Sequence, residues 1–167
     1  PVLWTDENQM TADSIRMLIT NKTIDRIFLI DNSFVVSQDS LLHFNQIKGR
    51  MMTAIFKDKA INHVDVEGNG ESVYFALQEM KSTAAADSAA AQKPKSIMMG
   101  MNKIICSNMK INFKDGKVNN ISFYIQPDAS FIPPAELEDG DKKLRGFSWR
   151  VTEKPEKSDV VKSKTEP

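Results

Sequence analysis

Scarcities narrow the field before any motif does. The 167-residue chain has one cysteine, Cys106, so it can close no internal disulfide and must hold by packing and hydrogen bonding. No apolar run approaches the ~20 residues of a membrane-spanning helix, which reads as a soluble chain or one that touches membranes through a partner. Neither sign of charge prevails, with 22 Lys plus Arg against 22 Asp plus Glu. That balance excludes the electrostatic footprint of a nucleic-acid or anionic-surface binder. The chain opens at Pro1 without an initiator Met or a charged and apolar leader, as a mature form or an excised piece would. Its length suits one domain with a real core.

What is present is repetition. "FKDKAINHV" at Phe56 is written again as "FKDGKVNNI" at Phe113, and "ITNKTIDRI" at Ile19 has the same pattern. Setting Ile24 on Ile61 and Val118 aligns Ile27 with Val64 and Ile121, and Leu29 with Val66 and Phe123. Ile15 then meets Met52 and Met109, Ala12 meets Gly49 and Cys106, and Asn8 meets Asn45 and Asn102. The offsets are 37 and 57; the difference is filled by "QEMKSTAAADSAAAQKPKS" from Gln78, where apolar patterning stops. We read three units at about 8–40, 45–77 and 102–134 in one domain, 1–152, with a flexible insertion at 78–97 and a disordered charged tail at 153–167.

Each unit alternates apolar and polar residues on both sides of a turn, which predicts a hairpin. A two-residue loop at Asp115-Gly116 would set Phe113 opposite Val118 and lose Ile121 and Phe123 from the face. A type I turn with Gly116 as a left-handed bulge residue pairs Phe113 with Lys117 instead, and gathers Met109, Ile111, Phe113, Ile121, Phe123 and Ile125. We expect the second register. It puts Ile24, Ile61 and Val118 on the opposite face and demands positive φ from Lys22 and Lys59. Turn-forming "DNS", "EGNGE" and "QPD" then predict a further separate strand at Phe34, Ser72 and Ala129. The expected class is all-β, with one short helical turn near "PAELEDG". Such units add edge to edge or curl into a shared core, as an elongated open barrel, a jelly roll or a solenoid.

Chemistry is sparse. His43 and His63 fall in different units with no paired position between them, and read as surface residues near strand ends. Cys106 shares its slot with Ala12 and Gly49, so it reads as a small buried residue and not as a nucleophile. "ELEDGD" at Glu136 lacks the alternating ligands and distal Glu of a calcium loop and reads as a solvated acidic turn. Gly68 and Gly70 precede a strand, so no helix N-terminus is there to cradle phosphate. The sequons at Asn21 and Asn120 matter only in a eukaryotic secretory pathway. Nine methionines are the one odd abundance, and thioethers suit irregular apolar partners such as acyl chains as well as cores.

Taken in order, "DENQMTADSIRM", "FNQIKGRMMTAIF", "INHVDVEGNGESVYF", "GMNKIICSNMKINF" and "NNISFYIQPDASFIPP" resemble the OstA-like domain of the LptA family, in particular the OstA-like proteins of the Bacteroidetes. The resemblance runs from about Trp4 to about Trp149. It implies an elongated, twisted open β jelly roll built from three repeated multi-strand units. It further implies a periplasmic, non-enzymatic module of outer-membrane biogenesis that carries the acyl chains of lipopolysaccharide, without metal or cofactor. Other Lpt-type envelope proteins, or further copies joined end to end, would be its partners through exposed edge strands. The residues the preferred register turns inward would form the apolar groove: Ile15, Met17, Ile19, Ile27, Leu29, Met52, Phe56, Val64, Val66, Met109, Ile111, Phe113, Ile121 and Phe123. The insertion and "LRGFSWR" are not part of the family's minimal pattern. The alternative is a structural β-repeat module that contacts other envelope proteins and holds no lipid.

Overall fold

The computed structural model describes residues 1–5, 8–80, 95–115 and 117–156. Among these residues nine strands make one open antiparallel sheet: β1 Val2–Thr5, β2 Asn8–Thr11, β3 Ser14–Thr20, β4 Thr23–Gln38, β5 Phe44–Lys57, β6 Ala60–Met80, β7 Lys95–Lys114, β8 Lys117–Tyr124 and β9 Asp128–Ile132. The order is β1-β2-β4-β5-β6-β7-β8, with β3 paired to β4 and β9 to β7. The described residues include no α-helix, only short 3-10 turns at Pro134–Glu136 and Val151–Glu153. The all-β expectation therefore holds.

The hairpin register differs from the expected one. Phe113 pairs with Val118 and Lys114 with Lys117, as a two-residue loop requires, yet Ile111 still pairs with Ile121 and Met109 with Phe123. A β-bulge reconciles the two: the ladder slips between Asn112 and Phe113 and leaves Asn119 unopposed. The same slip leaves Asp25 unopposed in the β3–β4 hairpin and Asn62 in the β5–β6 hairpin. One extra residue restores the parity that the short loop would cost. Ile24, Ile61 and Val118 consequently pack on the core side and not on the opposite face. Asn21-Lys22 and Asp58-Lys59 have positive φ at both loop residues, as does Asp115, which is the backbone of a type I′ turn. The positive φ foreseen at Lys22 and Lys59 is there; the bulge role expected of Gly116 falls outside the described residues.

A second irregularity lies midway along the strands. Asp31-Asn32, Gly68-Asn69 and Ile125-Gln126 are consecutive left-handed pairs. At the first two the ladder is shifted and not ended, so β4 and β6 run on through "FVVS" and "SVYFAL", which are not the separate strands expected. Asn32 Nδ2 donates to Asp13 Oδ2 at 2.8 Å, and the buried Ser33 hydroxyl lies 2.9 Å from the Leu29 carbonyl and 3.1 Å from that of Arg50. The Ser33 hydroxyl thus reaches main-chain carbonyls on both strands beside the interruption, while the Asn32–Asp13 bond ties two exposed side chains. Ile125, expected on the apolar face, is 64% exposed because its left-handed backbone turns it out. β6 and β7 stay paired as far as Met80 and Lys95, so 78–80 and 95–97 belong to strands; residues 81–94 lie outside the described part. At the end expected to be a disordered tail, Glu153 closes a 3-10 turn and its carboxylate pairs with Arg150, while 157–167 lie outside the described part.

Two apolar clusters result. The first joins one face of β1 to β8, around Ile27, Leu29, Met52, Val66, Met109 and Ile111. The second covers the reverse face of the later strand halves, where Phe34, Val36, Val73, Phe75 and Met101 meet Leu144, Phe147 and Trp149 of the C-terminal segment. The small slot read from Ala12, Gly49 and Cys106 is buried at all three positions. A Cβ on Gly49 would stand 2.4 Å from Val66 Cγ1. We expect Gly49→Ala to cost about 1–3 kcal/mol by urea denaturation, the range for overpacked cores. Gly140→Ala, with nothing within 4 Å of its added Cβ, should stay within about 0.5 kcal/mol of the parent.

Candidate functional site: the apolar face

The face is built of cross-strand rows. Met17, Ile27, Ala54, Val64, Ile111 and Ile121 are register partners across β3, β4, β5, β6, β7 and β8. Ile15, Leu29, Met52, Val66, Met109 and Phe123 form the next row, and Ile19 with Ile24, Phe56 with Ile61 and Phe113 with Val118 close the hairpin tips. All fourteen residues expected from sequence thus share one face. Sequence reasoning missed Ile24, Ile61 and Val118, although an apolar residue recurring at one aligned position was itself a signal.

Exposure is uneven across these rows. Ile27 and Ile111 are at 0%, and Leu29, Met52, Val64, Val66 and Met109 are buried as well. Ile15, Phe56, Phe113, Ile121 and Phe123 are half-buried at the margin. Met17 and Ile19, at 42% and 60%, lie on β3, which among the described residues has only β4 beside it, so the row reaches the sheet edge uncovered. Since every member of the cluster but Ala12 lies in the sheet, its centre can be this dry only if the sheet curls over its own face. The curl brings Val118, Ile121 and Phe123 of β8 to the same recess as Ser72 and Tyr74 of β6 and Asn102 and Ile104 of β7.

That recess holds about 250 Å³. Another, of about 480 Å³, opens at the tips of the first two hairpins over Ile24 and Phe56, with Lys22 and Lys59 beside it. Ligand sites typically run from about 300 to 1,000 Å³, so the tip recess is in range. A third recess, about 630 Å³, lies at the first corner between Asp13, Asp31, Glu71, Lys48 and Arg50, charges of both signs that include a Lys48–Glu71 pair at 3.6 Å.

The titratable residues singled out from the sequence lie apart from one another. Burial pushes the Cys106 thiol up, a backbone contact at Tyr124 opposing it, and Sγ lies 3.2 Å from the Asn108 carbonyl. His43 is 3.2 Å from Asp39 and stacks on Phe75, whereas His63 contacts Asn62 and Asp65; the two histidines share no partner. Glu138 and Asp141 close an exposed turn. Among the described residues no group of three or more His, Cys, Asp or Glu could hold a metal ion.

Leu29→Ala should lower unfolding free energy by about 2–5 kcal/mol, while Ile19→Ala at the uncovered edge should change it by less than about 0.5. Thiol alkylation gives a second check. A native chain should react more slowly than a urea-unfolded one at every pH up to the ordinary thiol range, because the folded thiol gives up its proton later. By the same sign, stability should fall as pH rises past the unfolded thiol's pKa, where only the unfolded state has lost the proton. No protein-family model matches this chain, and no curated protein or solved structure matches it either, so its function is read from its residues.

Proposed function

We propose that the chain is a non-enzymatic carrier of lipopolysaccharide acyl chains in the periplasm, an OstA-like jelly-roll module of three repeated units. One observation carries the reading: the apolar rows continue to both free edges, through Ile15, Met17 and Ile19 on β3 and through Val118, Ile121 and Phe123 on β8. A core built only for stability gains nothing from Met17 and Ile19, 42% and 60% exposed at the β3 edge, and such an edge invites aggregation unless a partner uses it. Copies joined edge to edge would extend both rows into one apolar track. The tip recess over Phe56 offers a point of entry, and each methylene taken from water there contributes about 0.8 kcal/mol.

The buried centre of the face supports a second reading, a structural module that uses its edges for protein contacts and holds no lipid. Photo-crosslinking separates them. With a photoreactive residue at Phe56 or Phe123, lipopolysaccharide adducts should form in living cells and should be weak or absent at Phe131, which is 55% exposed on β9. Equal capture at all three positions, or none at Phe56 and Phe123, leaves the structural module standing in its place.

A further inference from the structure

The C-terminal segment 133–150 pairs with no strand, yet it lies across the reverse face of the sheet from β9 to β1. Two glutamines grip its backbone. Gln46 Nε2 donates to the Lys142 carbonyl at 2.7 Å while its Oε1 accepts from Leu144 N–H at 2.8 Å. Gln9 Nε2 donates to the Ser148 carbonyl at 2.7 Å while its Oε1 accepts from Arg150 N–H at 2.6 Å. Each carboxamide thus spans a C=O and an N–H two residues apart, the pair that a neighbouring peptide unit would otherwise engage.

These grips are built into the sheet. Gln9 and Gln46 are 1% and 0% exposed, and Gln46 spends its other N–H on the Phe44 carbonyl at 3.0 Å, which fixes the amide's orientation. Val36 of β4 is the register partner of both, so the glutamines stand on one row, two strand spacings or about 10 Å apart. Between the grips the segment folds to match: Phe147 N–H donates to the Leu144 carbonyl at 3.0 Å, and Gly146 has a φ of +95°. Apolar side chains then fill the surface, with Trp149 edge-on to Trp4 at 5.0 Å and Phe147 against Phe44 at 5.2 Å.

All four of these bonds go to main chain. The grip therefore fixes the path of an irregular peptide and leaves recognition to the apolar side chains between its two points. From these contacts we infer that the reverse face of β2, β4 and β5 is a peptide-binding site, occupied in cis by residues 142–150 and open in trans to the same segment of a second copy. Cis and trans occupants make identical contacts, the condition under which exchange between copies costs little. The link at Glu138, Asp139 and Gly140 is exposed and carries no apolar anchor, so the segment can swing there without breaking a ladder. Such exchange is separate from edge joining and does not rest on the lipid reading.

A labelled synthetic peptide of residues 137–150 stands in for the second copy's segment. It is titrated into the full chain carrying Phe147→Ala and Trp149→Ala, which loosen the cis segment but leave the face intact. Fluorescence anisotropy should show saturable binding, weakened roughly tenfold or more when Gln9→Ala and Gln46→Ala are added. Absence of saturable binding, or binding indifferent to the glutamine pair, overturns the inference. Should that chain fail to fold, the full chain carrying Phe147→Ala alone takes its place, with the same two outcomes.

Discussion

A sheet whose apolar side has no second layer over it among the described residues must hide that side with its own curvature, and curvature serves only if every strand presents its large residues in the same rows. The whole molecule depends on that register. Ile27 and Ile111 stay dry because Ala54 and Val64 stand between them in one line, and because the rows on either side keep step. A slip of one residue in any hairpin would turn a strand's share of the line toward water. Two-residue turns with left-handed backbone set the strand ends, and the unopposed Asp25, Asn62 and Asn119 correct the parity behind them. All three are short and polar, which suits a residue pushed out of the ladder.

This explains what could be read in advance. Alignment of the chain against itself brought the fourteen face residues together, because equal spacing in sequence becomes equal depth in equivalent strands. It failed at the hairpins for a definite reason. In sequence, loop length and strand parity look like one choice, but a bulge separates them, and the apolar Ile24, Ile61 and Val118 at one aligned position are its trace. "DNS" and "EGNGE" likewise read as strand ends, since those residues are turn formers, yet here the strand continues through them. Least legible was the C-terminal segment. Its anchors, Leu144, Phe147 and Trp149, follow neither period, and the bonds that hold it come from Gln9 and Gln46, which look like surface residues in sequence although they occupy one aligned position 37 apart.

The two sides of the sheet meet different demands. The apolar rows are closed in the middle and reach water at the hairpin tips and at the outer strands, so only those margins could meet another molecule without the core opening. The reverse side is covered by chain that contributes packing but no ladder. Such a division keeps the most stable hydrogen bonds in the strands and places what can move on top of them.

The glutamine grips also bear on the order in which the chain assembles. Each hairpin closes over a turn of two residues and needs only near neighbours in sequence, whereas Arg150 meets Gln9 across 141 positions. Closing so long a loop is entropically slow compared with hairpin formation. The sheet should therefore form first, and remain bare on its reverse face until residues 142–150 dock on it. For that interval Phe34, Val36 and Phe75 are uncovered, so the segment's final docking is the step that ends the molecule's exposure to misassembly with its neighbours.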